Sequence, residues 1–374
     1  MSNNNFYITT PIYYVNDVPH IGHAYTSLTC DVIARFMRLN GRRVKFLTGT
    51  DEHGQKVAKS ALNNKLSPQE FTDKMSMSFR NLLKALDITN SDFIRTTEER
   101  HKLGVQELWK KMKDNGDIYI SSYCGWYSIQ DEAFYNKSEL TLEGLAPTGS
   151  KVEWIEEPSY FFALSKWQDK LLKFYEDNPN FIKPETRRNE VISFIKNGLT
   201  DLSISRINLE WGIPILGDEK HVVYVWLDAL TNYISGLGYP KKTIEYKKFW
   251  PVDLHVIGKD ILRFHAIYWL AFLMSASLPL PKSILAHGWW TNKGQKISKS
   301  IGNVIDPFKL IKDFGLDQVR YFLIREVLIG NDGNYSRQNL IKRNNSELSN
   351  KIGNLMQRTC SFAFKHCDKR IPGV

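Results

Sequence analysis

The chain has only four cysteines, Cys30, Cys124, Cys360 and Cys367, and no two of them stand in a CxxC spacing. Neither a disulfide framework nor a zinc knuckle is indicated, and a reduced, cytoplasmic protein is expected. No run approaches the ~18 apolar residues of a membrane span, so no membrane partner is expected. The N-terminal MSNNN gives way to a strand pattern too soon for a signal or transit peptide. Internal repeats and low-complexity tracts are also missing.

What is there is a 374-residue chain, 42% hydrophobic and 13% aromatic, a balance that excludes a disordered protein. Its length exceeds one comfortable core and implies two or more domains. The net charge of +10 is unevenly spread. Residues 337–374 hold eight Lys/Arg against Glu347 and Asp368. A basic helical end of that kind suits a polyanion such as RNA, and on charge alone a solvated helix face explains it equally well.

Strand and helix patterns alternate through residues 1–116, as in a doubly wound α/β fold. The apolar run Phe6–Tyr14 reads as the first strand, residues 44–50 (VKFLTGT) as the second, and DEHGQK opens a helix after it. From Asp117 to Gly217 the texture becomes short, aromatic, alternating β with a few helices, an inserted domain of mixed character. The α/β pattern resumes over 218–292, with strands predicted at 221–226 (HVVYVW), 253–260 (DLHVIGKD) and 283–290 (SILAHGWW). A basic loop region covers 293–335 and a helical region 336–374. The fold class is thus a Rossmann-like doubly wound parallel sheet, interrupted by a connective insertion and followed by helices.

Residues 19–25 read PHIGHAY at the mouth of a helix whose apolar positions run Tyr25, Leu28, Val32, Phe36 and Leu39, closed by Asn40-Gly41. Three residues apart, His20 and His23 share one face of the first turn. Free N–H groups and the positive dipole end make that turn an anion site, so two imidazoles there suit a phosphate. Structural capping is the competing explanation. Four predicted strand ends carry Gly with ionisable or aromatic groups: YYVNDVPHIGH, GTDEHG, GKD and AHGWW. In open parallel sheets ligands bind at that edge, where strand order reverses.

Over 270 residues beyond the histidines stands KGQKISKSIGN (293–303). Together with HIGH at 20–23 it resembles the paired HIGH and KMSKS signatures of the class I aminoacyl-tRNA synthetases. Segments ITTPIYYVNDVPHIGHAYTSLTCDVIARF, GTDEHGQK, EEPSYFF, RRNEV, GLTDLSISR, YVWLDALTNY, HVIGKDILRFH and AHGWWTNKGQKISKS resemble the methionyl-tRNA synthetase family from about residue 6 onward. Ile297 replaces the Met of the second signature. Cys124 stands alone in the insertion, which resembles the zinc-free subgroup, and no structural zinc is expected.

The resemblance implies ATP-dependent activation of methionine, then transfer to the terminal ribose of tRNA(Met), the initiator tRNA included. Mg2+ is expected to accompany ATP, and a monomer is expected. His20, His23, Lys296 and Lys299 take the catalytic positions by resemblance, donors that meet the phosphates from two sides. Gly22, Gly258, Lys259, Asp260, Ser298 and Ser300 fall to the nucleotide, with Asp260 near the ribose. Asp51 falls to the methionine ammonium. Ile12, Tyr14, Trp226, Ala229, Leu230, Tyr233, Ile261 and His265 fall to the thioether pocket, whose aromatic walls suit a polarisable sulfur. Without the resemblance, Trp226, Tyr233 and Ile261 read as plain core. Arg206 is expected near the site in a positional role. Residues 336–366 form one amphipathic segment that cannot bury its own apolar stripe. In the family it opens an anticodon-binding bundle that runs further, so a truncated bundle is expected. Two alternatives remain at this level: a class I synthetase of another apolar amino acid, or a non-catalytic synthetase-like RNA-binding protein.

Overall fold

The computed structural model describes residues 4–16, 18–131, 133–135, 137–207, 209–297 and 303–370. Its centre is a parallel sheet of seven strands. They lie in the order Tyr13–Tyr14, Arg43–Asp51, Asn5–Thr9, Leu254–Gly258, Ile284–His287, Ile182–Lys183, and Asp92–Arg95 also pairs with Arg43–Asp51. From Asn5–Thr9 the sequence runs outward one way through Arg43–Asp51 and the other way through Leu254–Gly258. The order therefore reverses between those two neighbours, and a crevice opens beyond their carboxyl ends.

The first strand is not continuous from Phe6 to Tyr14. Pro11 has no amide to give the ladder, so pairing stops at Thr9 and restarts at Tyr13. The histidine helix spans Ile21–Leu39, with His20 as its N-cap and Asn40 as its C-cap. Pro19 thus precedes the helix instead of occupying its first turn. Gly41, at φ +76°, takes the left-handed turn that only glycine adopts freely. Gly49 has an equally clear reason: a Cβ there would fall 2.0 Å from the Ile94 carbonyl oxygen of the neighbouring strand.

Two expectations change. The segment HVVYVW does not return to the central sheet. Asp218–Val223 is the middle of a small antiparallel sheet with Ser205–Arg206 and Pro214–Ile215, and the next helix begins at Val225. Trp226 consequently stands in a helical first turn. Conversely, Ile182–Lys183, inside the 117–217 stretch, forms the edge strand of the central sheet. The helices around it, Gln168–Asp177 and Glu185–Lys196, bury Leu171, Tyr175, Val191 and Ile195 in the main core. In the same stretch Ile118–Ser128 pairs antiparallel with Glu153–Phe162, and Ala133–Tyr135 and Leu202–Ser203 complete a four-stranded sheet on either side.

The run after Gly258 is not one regular helix. A 3-10 turn at Lys259–Ile261 is followed by a π-helical turn, Phe264–Tyr268, and then by Trp269–Ser275. Trp290–Asn292 pairs with Gln295–Lys296 on one side and, in parallel, with Gly333–Tyr335 on the other. Its Trp290 packs against Tyr25 of the histidine helix and Phe322 of the helix Leu316–Arg325. Beyond Arg337 one helical rod runs to His366. It buries Leu340 and leaves Ile352, Leu355 and Phe362 exposed, as its amphipathic pattern implies. Among the described residues no helix is long and apolar enough to cross a membrane.

Candidate functional site

A cavity of about 490 Å³ opens at the crevice. Six segments converge on it: Pro11–Tyr14, the start of the histidine helix, Asp51, the first turns of the helix Val225–Ser235, the turn after Gly258 and the turn after His287. Of the sequence-derived set, His20, Gly22, His23, Ile12, Tyr14, Asp51, Trp226, Ala229, Leu230, Tyr233, Gly258, Asp260, Ile261 and His265 all line it. Lys259 does not. Its ammonium bonds Asp332 at 2.7 Å and lies 4.2 Å over the Trp289 ring, behind the wall. Arg206 lies on a second, smaller cavity of about 220 Å³ beside His53 and Trp211. Ser298, Lys299 and Ser300 lie outside the described residues, as do the side chains of Lys296 and Cys124.

The two histidines cap their helix and also line the cavity. His20 Nδ1 accepts the Gly22 amide at 3.0 Å, and His23 Nδ1 accepts the His20 amide at 3.1 Å. This is a capping box built from imidazoles. Because both Nδ1 atoms accept, each neutral ring carries its proton on Nε2, and two N–H donors are fixed in tautomer. The burial of His23, with His20 beside it, pushes its pKa well below the ordinary value. Gly22 is needed for the fold-back: a Cβ there would meet His20 Cε1 at 2.8 Å.

The far end of the cavity is drier. Trp226 stacks on Phe264 with centroids 3.5 Å apart. Tyr233 and His265, each 1% exposed, close the floor, with Oη and Nε2 2.6 Å apart. His265 Nδ1 donates to the Ile261 carbonyl at 2.9 Å, so Nε2 accepts the tyrosine proton. Burial pushes the His265 pKa down to about 4 and keeps the ring neutral. His265 lies within the π-helical turn, a feature frequent at functional sites. Asp51 ends its strand beside Tyr14, its direct partner in the parallel register. A carboxylate, an apolar aromatic pocket and an N–H-rich helix mouth thus share one chamber. It suits a zwitterion with an apolar side chain next to a phosphate.

Several lining residues carried no assigned role in the sequence reading: Tyr13, Tyr25, Thr26, Lys56, Asn232, His287 and Trp289. Trp289 Nε1 donates to Asp260 Oδ1 at 3.1 Å and so orients that carboxylate. His287 binds Thr26 at 2.9 Å, tying the last strand to the histidine helix. Both lie within AHGWW, whose glycine was the visible clue. A Cβ on Gly288 would fall 2.1 Å from the Asn331 carbonyl oxygen.

A family model described as tRNA synthetases class I (M) matches residues 6–151 and 145–360. A methionine–tRNA ligase of Rickettsia bellii is 68% identical over 372 residues, which covers 100% of this chain and 73% of that protein. The methionine–tRNA ligase of Brucella suis biovar 1 is 55% identical over 376 residues, with 100% and 73% covered. Among solved structures, Mycobacterium tuberculosis methionyl-tRNA synthetase in complex with methionyl-adenylate superposes with a TM-score of 0.96 at 50% identity. That match covers 99% of this chain and 74% of the other.

Proposed function

The chain belongs to the class I tRNA synthetases (M), the methionine–tRNA ligases, and we propose that the 490 Å³ cavity is where it joins methionine to ATP. The activity is a ligase reaction in two steps. Methionine is activated by ATP to methionyl-adenylate, and the aminoacyl group then passes to tRNA. The observation that carries the assignment of the site is the meeting, in one chamber, of Asp51, the Trp226–Tyr233–His265 pocket and the two Nε2–H donors of His20 and His23.

On this reading Asp51 receives the ammonium group and the thioether lies between Trp226, Leu230 and the Tyr233–His265 floor. The methionine carboxylate then points toward the helix mouth, where the α-phosphate sits. In-line attack by that carboxylate releases pyrophosphate and needs no covalent nucleophile. The protein holds two anions together and stabilises the charge that builds on the phosphate. His20 and His23 supply fixed donors from below. Lys296 and Lys299 supply cations, and Ser298 and Ser300 hydrogen-bond the nucleotide. Gly22 and Gly258 allow the adenosine close to the backbone, and Asp260 takes a ribose hydroxyl. Lys259 acts from behind, through its contact with Trp289. Mg2+ would enter with the ATP phosphates and would offset charge on them. The initiator tRNA is charged along with the other tRNA(Met), and the chain acts in the cytoplasm as a monomer.

Methionine-dependent exchange of pyrophosphate into ATP tests the reading directly. Exchange that requires methionine and is not supported by leucine, isoleucine or valine is expected. Exchange driven equally by another apolar amino acid would overturn the pocket assignment.

A further inference from the structure

The helix Val225–Ser235 carries chemistry on two opposite faces. Trp226, Ala229, Leu230 and Tyr233, three and four residues apart, face the cavity. Asp228, Thr231 and Ser235 face the other way, toward the helix Glu99–Asp114. That helix comes so close at Gly104 that a Cβ would stand 2.9 Å from the Ser235 Cβ.

Asp228 is fully buried, and its two oxygens are divided between two histidines. Oδ2 accepts from His53 Nδ1 at 2.7 Å, and Oδ1 accepts from His101 Nε2 at 2.7 Å. His101 Nδ1 in turn meets Ser235 Oγ at 2.8 Å, two turns along the same helix. None of the three lines the main cavity. A carboxylate buried this way is tolerated only when each partner stays in place, so the cluster has one arrangement. His53 comes two residues after Asp51 and packs in a T-shaped contact against Trp211, whose Nε1 donates to the Glu52 carbonyl at 2.5 Å. The His53–Asp228 bond is therefore a strut from the segment that holds the ammonium partner to the helix that holds the side-chain wall.

We propose that Asp228, with His53 and His101, is a positioning unit for methionine: it fixes the span between Asp51 and the Trp226–Tyr233 wall, and with it the length of side chain the pocket accepts. This rests on the methionine reading above. One methylene in an apolar pocket gives weak discrimination by itself, so a wall free to slide would forfeit much of it.

The test uses the full chain in pyrophosphate exchange, normalised to active sites, with methionine and with ethionine, which is one methylene longer. His53→Leu removes the strut. We expect the methionine KM to rise about tenfold, the ATP KM to stay within twofold, and the preference for methionine over ethionine to shrink. His53→Asn, whose amide nitrogen stands where Nδ1 was, should restore wild-type values. Equal changes in both KM values, an unchanged methionine KM, or an Asn variant as impaired as the Leu variant would overturn the proposal. If His53→Leu does not fold, Asp228→Asn is read in the same way; if neither folds, the cluster serves stability alone and the proposal fails. Trp226→Ala separates the two levels. A methionine-selective loss there without one in His53→Leu rejects only the strut, and no selective loss there rejects the pocket itself.

Discussion

Acid should weaken this protein before it disables the site, and His265 shows how. The ring is buried under Tyr233, and its pKa falls to about 4 from an ordinary value near 6.5. A histidine with a depressed folded pKa takes up its proton more readily when unfolded. Its penalty is therefore absent above pH ~6.5, grows as the pH falls below that, and levels off only beneath the folded value. Between pH 7.5 and pH 5.0 the linkage relation gives a loss of about 2 kcal/mol from this one ring. Over the same interval the folded ring stays almost wholly neutral, so the Tyr233 hydroxyl keeps its acceptor and the pocket keeps its floor. Stability and methionine affinity should part company. Urea unfolding at the two pH values, for wild type and His265→Asn, checks the first half. Asn keeps a donor for the Ile261 carbonyl and does not titrate, so the variant should lose about 2 kcal/mol less over that interval than the wild type. The methionine KM of the wild type should stay within about twofold from pH 7.5 to 5.5. Equal pH-dependent losses in the two proteins would refute the argument.

Three further outcomes follow from the geometry. Trp226→Ala should raise the methionine KM by about 10-fold or more, the equivalent of ~1.4 kcal/mol of lost contact, and leave the ATP KM nearly unchanged in steady-state exchange. His23→Ala should lower kcat for adenylate formation by ~10²-fold with little change in either KM, because its Nε2–H serves the transition state; Lys299→Ala should do the same, and a near-normal kcat in either variant would remove that residue from the mechanism. Gly288→Ala forces a methyl group into the Asn331 carbonyl oxygen. It should cost ~1–3 kcal/mol in denaturant unfolding and raise the ATP KM, since Trp289 and Asp260 move with that turn.

Local patterns gathered the residues that line the cavity better than they gave the strand order. The imidazole pair, its helix and the cap at Asn40-Gly41 are short-range features, and each is present in the structure. The capping and phosphate explanations of His20 and His23 had seemed to compete. The cap hydrogen bonds leave Nε2–H on both rings, so the two explanations are compatible, which a sequence cannot display because the tautomer depends on the folded turn. The strand assignment of HVVYVW failed for another reason: an apolar run shows that a strand is buried, but not which sheet receives it. Ile182–Lys183 is only two residues long and is defined by Ile284–Leu285, about a hundred residues away. The π-helical turn at His265 left no periodic trace either, since ILRFHAIYWLAFLMSA reads as one continuous helix. Lys259 sits inside a segment that reads as nucleotide-facing, and only the position of Asp332, far along the chain, shows that it turns away.

The parallel ladder between Trp290–Asn292 and Gly333–Tyr335 bears on how small a working version of this enzyme can be made. Every residue assigned to activation lies at or before Ser300, which invites trimming to a core that ends soon after the lysine loop. Yet the strand from which that loop springs is hydrogen-bonded to residues 333–335, and Trp289 takes its backbone partner from Asp332. A fragment ending near residue 320 would keep the whole roster of reactive groups and lose the footing of the lysine loop and of Trp289. The minimal unit for adenylate chemistry should therefore be set by a strand that does not line the cavity, and extend past Tyr335.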